Sequence, residues 1–241
     1  MLYVFGDSYS CDSKYYDTVN KERNHKFLPL EKNWTSILSE KLTGSIEHIN
    51  DSIVGCSNEF IFHRLMTRMS ELKKGDYVVV SATSVNRRWL IERRPDVALH
   101  HATSNINAEP GITKEESDAI LQYTRYLHSD LAAETIYDAI FWATVYAAQR
   151  VEDLGVRFLI IPGFRDIPGV NGNLFDLSNS EFDNIETRDK FYKMAPDLRW
   201  NHLTEVNHKI LADKVFDFFT ENKMVDLTTG FQKNIYTKNN I

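Results

Sequence analysis

The chain has 241 residues, 42% of them hydrophobic and 26% charged, the balance of an ordinary globular protein long enough for one large α/β domain. Its net charge of -6 argues against general affinity for nucleic acid or anionic membrane. No apolar stretch approaches the ~20 residues of a membrane span, and two cysteines, Cys11 and Cys56, are too few for a disulfide framework and read as reduced packing residues.

A first strand is expected at Leu2–Phe5, an apolar run that stops abruptly in Gly6-Asp7-Ser8. A strand that starts at the initiator leaves no room for a secretory leader, so a cytoplasmic location is expected and the Asn33-Trp34-Thr35 glycosylation pattern carries no meaning. Glycine permits a tight turn after the strand. That turn delivers Ser8 to the carboxyl edge of a sheet, where open α/β sheets bind ligands.

After a polar stretch, Trp34, Ile37, Leu38 and Leu42 fall at helical spacing and Gly44 ends the helix. Ile46–Ile49 reads as a second strand running into Asn50-Asp51-Ser52-Ile53-Val54-Gly55-Cys56-Ser57-Asn58, and a helix is expected from Glu59 to Leu72. Tyr77–Val80 is a run of β-branched residues behind an aromatic, the pattern of a strand buried on both faces. Residues 87–114 begin basic and then lose periodicity; they form either an insertion over the carboxyl edge or a solvated loop packing Trp89 on the body.

Two helices follow, about Lys114–Leu127 and Leu131–Leu154, and then a fourth strand, Val156–Ile161, ending in Pro162-Gly163. Residues 164–200 are irregular and suit a second cleft wall. Val206, Ile210, Leu211, Val215 and Phe218 make an apolar stripe for a closing helix over Thr204–Phe219. The alternation of short runs and helical periods gives an α/β protein with a mainly parallel sheet. One domain is expected over 1–222, with a polar tail at 223–241.

Serine is a poor nucleophile unless a base lies within hydrogen-bond reach, and histidine is the usual base. Among the eight histidines, His202 is distinctive because it lies in a polar turn directly before an amphipathic helix. Ser8 and His202 therefore meet at one sheet edge if the chain's two ends fold together. Competing chemistry is poorly supported. No Gly-x-Ser-x-Gly elbow and no phosphate loop occurs, and neither His100-His101 nor the His202/His208 pair has zinc spacing, so no metal or cofactor is expected.

Taken in order, these residues resemble the GDSL (SGNH) hydrolases. Gly6-Asp7-Ser8 is similar to the family's first block, Asn50 to Gly55 to its second, and His202 with Leu203, Thr204 and Glu205 to its last; Trp34 to Leu38 resembles its first helix. The resemblance implies a three-layer α/β/α sandwich with a flavodoxin-like, mostly parallel sheet of five strands. It implies Ser8 as nucleophile, His202 as general base, and the N–H groups of Ser8 and Gly55 as oxyanion donors.

Two positions depart from the pattern. The third block's Gly-x-Asn is replaced by Ser81-Ala82-Thr83-Ser84-Val85-Asn86, leaving Asn86 or Thr83 as the third oxyanion donor. The acid expected three residues before the histidine is Arg199, and the nearest carboxylate is Asp197, which completes an atypical triad or leaves a Ser–His dyad.

The activity implied is hydrolysis of carboxylic esters through an acyl-serine. Polar insertions favour a hydrophilic small-molecule or glycan ester, such as an acetylated sugar. O-acyl transfer uses the same chemistry, and a catalytically impaired binding module, which Arg199 favours, is the rival. A nucleotide-binding flavodoxin-like domain is disfavoured by Asp7. Oligomeric state is not legible.

Overall fold

The computed structural model describes residues 1–11, 32–85, 87–89, 113–127, 130–165, 167, 170–178 and 202–233. Four strands, β1 (Leu2–Phe5), β2 (Ile49–Asn50), β3 (Tyr77–Ser81) and β4 (Arg157–Ile161), form one all-parallel sheet in the order β2-β1-β3-β4. The chain winds outward from β1 to β2, returns past β1 to β3, and continues to β4. The winding direction therefore reverses between β1 and β3, and the crevice of such a sheet lies outside the carboxyl ends at that reversal.

Side chains alternate across the sheet. Leu2, Val4, Val79, Leu159 and Ile161 face one core, which is closed by α1 (Trp34–Thr43) and α5 (Glu205–Glu221) through Trp34, Leu38, Leu211, Val215 and Phe219. Tyr3, Phe5, Val78, Val80 and Phe158 face the other, covered by α2 (Asn58–Arg68) and α4 (Asp130–Glu152) through Phe60, Ile61, Leu65, Ala147 and Val151. The result is three layers, helices on both faces of a parallel sheet. A further helix, α3 (Lys114–Leu127), precedes α4. Among the described residues, no helix is long and apolar enough to cross a membrane.

The helix starts are fixed by caps. Asn33, Ser57 and Thr204 accept from the N–H groups of Ser36, Phe60 and Asn207, each worth about 1 kcal/mol. Asn33 is buried and also donates to Cys11 O at 2.6 Å, which ties α1 to the end of the first turn.

Several elements differ from the sequence reading. The second strand is not Ile46–Ile49 but only Ile49–Asn50, because pairing with β1 begins at Tyr3↔Ile49 while Ile46 stays exposed. No fifth strand joins the main sheet among the described residues. Instead β5 (Val170–Asn171) and β6 (Val225–Asp226) make a separate parallel pair, extended by Leu227 N–H donating to Asn171 O at 2.7 Å. The segment beyond 222, expected as a polar tail, thereby buries Val225 and Leu227 completely. Arg87 and Arg88, at the start of the expected insertion, are buried, and Trp89 packs edge-on against Phe60. The remainder of that insertion up to residue 112 lies outside the described residues.

Candidate active site

The first turn is built on a glycine at a position where a Cβ would crowd its neighbours. A Cβ on Gly6 would lie 2.8 Å from Ser81 Cβ and 2.9 Å from Ser10 Oγ. Without that Cβ the chain lies against the end of β3 and coils at once. The N–H groups of Ser10 and Cys11 both donate to Asp7 O, at 3.0 and 3.1 Å. Ser8 rides in this coil at the carboxyl end of β1 and is buried.

The loop after β2 is fastened to the same turn. Ile53 N–H donates to Gly6 O at 3.0 Å, Asn50 Nδ2 donates to Ser10 O at 2.8 Å, and Cys56 Sγ–H donates to Gly6 O at 3.3 Å. Burial, reinforced by the Asp7 carboxylate, pushes the Cys56 thiol far above its ordinary range, so it remains a protonated donor. Gly55 occupies the next turn with φ +74°, a left-handed conformation that costs an L side chain roughly 1–2 kcal/mol.

The loop after β3 is held by two side chains. Asn58, at the start of α2, accepts from Thr83 N–H at 2.9 Å and returns its own N–H to Thr83 O at 3.1 Å. Thr83 Oγ1–H donates to Asp7 Oδ2 at 2.6 Å, and Arg87 Nη1 reaches both that oxygen and Thr83 Oγ1 at 2.7 Å. Asp7 Oδ1 accepts from Tyr9 N–H at 3.0 Å. A carboxylate that is only 1% exposed is thus paired and hydrogen-bonded, the condition under which burying a charge is tolerated.

His202 reaches this assembly from the far end of the sequence. Its ring stacks on Tyr9, with centroids 4.9 Å apart and planes inclined by 25°. Tyr9 meets the edge of Phe164 at 5.9 Å, and the Arg87 guanidinium lies over Phe164 at 5.5 Å. Below His202, Leu203 is buried and Thr204 caps α5, so the imidazole sits two residues before a fixed helix start. His202 Nε2 is itself buried.

No family model and no curated protein matches this chain. A solved structure, that of the protein YxiM from Bacillus subtilis, is distantly similar, with a TM-score of 0.31 and 13% identity. The alignment covers 92% of this chain and 46% of that one, so this chain spans less than half the length of that protein.

Of the residues singled out in the sequence, Ser8, Gly55 and Thr83 lie on the three loops that hydrogen bonds join, and His202 lies against the neighbour of Ser8. Thr83 points its hydroxyl toward the carboxylate of the first turn. Its one hydroxyl proton goes to Asp7 Oδ2. Asn86, Asp197 and Arg199 lie outside the described residues. Sequence reasoning missed Arg87 and Asn58. A signal for Arg87 existed, since an acid directly after a buried strand requires a cation, but the sequence does not say which. No cluster of side chains suited to a metal occurs among the described residues.

Proposed function

We propose that the chain is a serine hydrolase that cleaves carboxylic esters through an acyl-serine intermediate. The observation that carries this reading is the stack of His202 on Tyr9, which places an imidazole beside the turn bearing Ser8 at the sheet's topological reversal.

In this reading His202 takes the proton from Ser8 Oγ as that oxygen bonds to the substrate carbonyl carbon, and the π pair of the carbonyl moves onto its oxygen. The N–H groups of Ser8 and Gly55 face the oxyanion. On collapse the ester C–O bond breaks and the leaving alcohol takes the proton from His202. Water, deprotonated by the same imidazole, then attacks the acyl-serine and releases the acid. Tyr9 holds the ring plane through stacking, while Asp197 or a backbone carbonyl sets its tautomer.

The substrate proposed is a hydrophilic ester with a short acyl group, an O-acetylated carbohydrate. The polar, charged composition of residues 87–114 and 164–200 supports that choice. Acetate release from acetylated glycans, compared with p-nitrophenyl esters of rising chain length, tests the assignment. The expected result is release that Ser8→Ala abolishes and that falls with chain length. Hydrolysis that survives Ser8→Ala contradicts the mechanism, and a preference for long chains contradicts the substrate.

A further inference from the structure

A buried amide needs partners for its protons and its lone pairs. Asn207, in the first turn of α5, is fully buried, and the partners of its side chain lie outside its own helix. Its Nδ2 donates to Gln232 O at 2.6 Å and to Leu177 O at 3.3 Å, and its Oδ1 accepts from Gln232 N–H at 2.9 Å. A side-chain amide bonded to both polar groups of one backbone residue is a clamp on that residue.

The clamp reaches the turn that carries His202. Thr204, two residues after the imidazole, accepts from Asn207 N–H at 3.1 Å through its Oγ1 and donates from the same hydroxyl to Gln232 Oε1 at 3.4 Å. The segment after β6 is thus fastened to the residue that starts α5. That segment is itself anchored, because Val225 and Leu227 are fully buried and Phe231 packs against the core.

The bond to Leu177 O completes a circuit. Leu177 ends the short turn Phe175–Leu177, which is tied to the end of β4 by Leu174 N–H donating to Pro162 O at 2.9 Å and Phe175 N–H to Gly163 O at 2.8 Å. The Phe175 ring stacks on Phe164 with centroids 4.9 Å apart, Phe164 meets the edge of Tyr9, and Tyr9 carries the His202 ring. From His202 the chain returns through buried Leu203 and Thr204 to Asn207. The imidazole is therefore one link in a closed ring of contacts, stacked on Tyr9 on one side and held through Asn207 on the other. An open series of contacts bends at its free end, whereas a closed one shifts only when a link breaks.

We propose that Asn207 is a positioning residue for His202, which holds the imidazole against Tyr9 by clamping Gln232 and Leu177 to the start of α5. The proposal rests on the hydrolase reading above. Asn207 acts through the backbone of Leu203 and Thr204 and takes no part in proton transfer. It also makes the segment after β6 a part of the frame of the site.

Two variants open the ring from opposite sides. Asn207→Leu fills the buried space and removes the side-chain bonds to Gln232 and Leu177. Gln232→Pro leaves α5 untouched and puts a ring carbon where the Gln232 N–H met Asn207 Oδ1; the Gln232 side chain is exposed, so the core is spared. In each folded variant kcat should fall about 10- to 100-fold with KM nearly unchanged, because displacing the base hinders proton transfer and not ester binding. NMR of histidine-labelled protein gives a readout that needs no activity. The His202 ring signal, identified by its loss in His202→Gln, is displaced by the Tyr9 ring current in the wild type and should move toward the position of free histidine in both variants.

Variants that melt earlier but keep the wild-type kcat and His202 signal would make Asn207 an anchor for the terminal segment alone and overturn the proposal, as would a loss confined to KM. If Asn207→Leu does not fold, Gln232→Pro decides. A wild-type protein that hydrolyses no ester and takes up no fluorophosphonate overturns the hydrolase reading instead, and the His202 signal then still reports whether the clamp holds the ring.

Discussion

The backbone N–H of Trp34 donates to Nδ1 of His208 at 3.2 Å, across 174 residues of sequence. An Nδ1 that accepts a hydrogen bond carries no proton, so His208 is the neutral ring with its proton on Nε2. Trp34 also donates its indole N–H to Tyr9 O at 2.8 Å. The helix that follows His202 is thereby bonded, through one tryptophan, to the turn that carries Ser8.

His208 is fully buried, so removing the acceptor leaves the Trp34 N–H orphaned in the core. His208→Leu should cost about 1–3 kcal/mol, and His208→Asn, whose side-chain oxygen can occupy the Nδ1 position, clearly less. Thermal melts check the ranking, with roughly 2–4 °C expected per kcal/mol at this chain length. Equal losses in the two variants would show that ring volume, not the hydrogen bond, matters there.

Asp51 gives a pH-dependent prediction. Burial alone would raise its carboxyl, but hydrogen bonds from Arg68 and Arg64 outweigh burial and hold it below its ordinary value of 3.8. A carboxylate lowered on folding contributes stability that is complete above its unfolded value and is lost as pH falls through the folded one. Asp51→Asn should therefore cost about 1–3 kcal/mol in urea melts near pH 7. The gap between variant and wild type should narrow as pH falls below the ordinary value of 3.8 and through the lower value of the folded state. A gap that is constant with pH would assign the cost to packing.

Gly6→Ala forces a methyl between Ser81 and Ser10, both of them fully buried. Overpacking of this kind costs about 1–3 kcal/mol. Because the displaced segment is the one carrying Ser8, ester hydrolysis should fall about 100-fold, more than the lost stability explains. Steady-state kinetics at a temperature where the variant is fully folded separates the two effects.

Both cysteines should be silent toward a thiol-specific disulfide reagent in the native state. Cys56 is fully buried with its thiol pushed upward, and Cys11 is 1% exposed. Reaction of both is expected only with unfolding, at the rate of global opening. Fast labelling of either at mildly alkaline pH would contradict the burial of the first turn and the loop after β2.

What the sequence made legible was whatever is local. The apolar run at Leu2–Phe5 and the helical period at Lys114–Leu127 appear in the structure with those bounds, because each is decided by neighbours a few residues away. β2 was misplaced because Ile46 is apolar yet exposed, and a two-residue strand leaves no periodicity to read. β6 was missed for the same reason, since two buried residues, Val225 and Leu227, sit in an otherwise polar stretch.

At the site, Ser8, Gly55 and His202 stood out through turn chemistry and position, whereas Arg87 did not. Its partner Asp7 is 80 residues away, and a run that reads Arg87-Arg88-Trp89-Leu90-Ile91-Glu92-Arg93-Arg94 looks the same in sequence whether its first cation is solvated or buried.

The nucleophile itself is tested most directly with a fluorophosphonate, followed by peptide mass spectrometry to locate the adduct. The account predicts one adduct per chain, on Ser8, absent in Ser8→Ala and strongly slowed in His202→Ala. No adduct, an adduct on another residue, or labelling of Ser8 that proceeds unchanged without the His202 imidazole would contradict it.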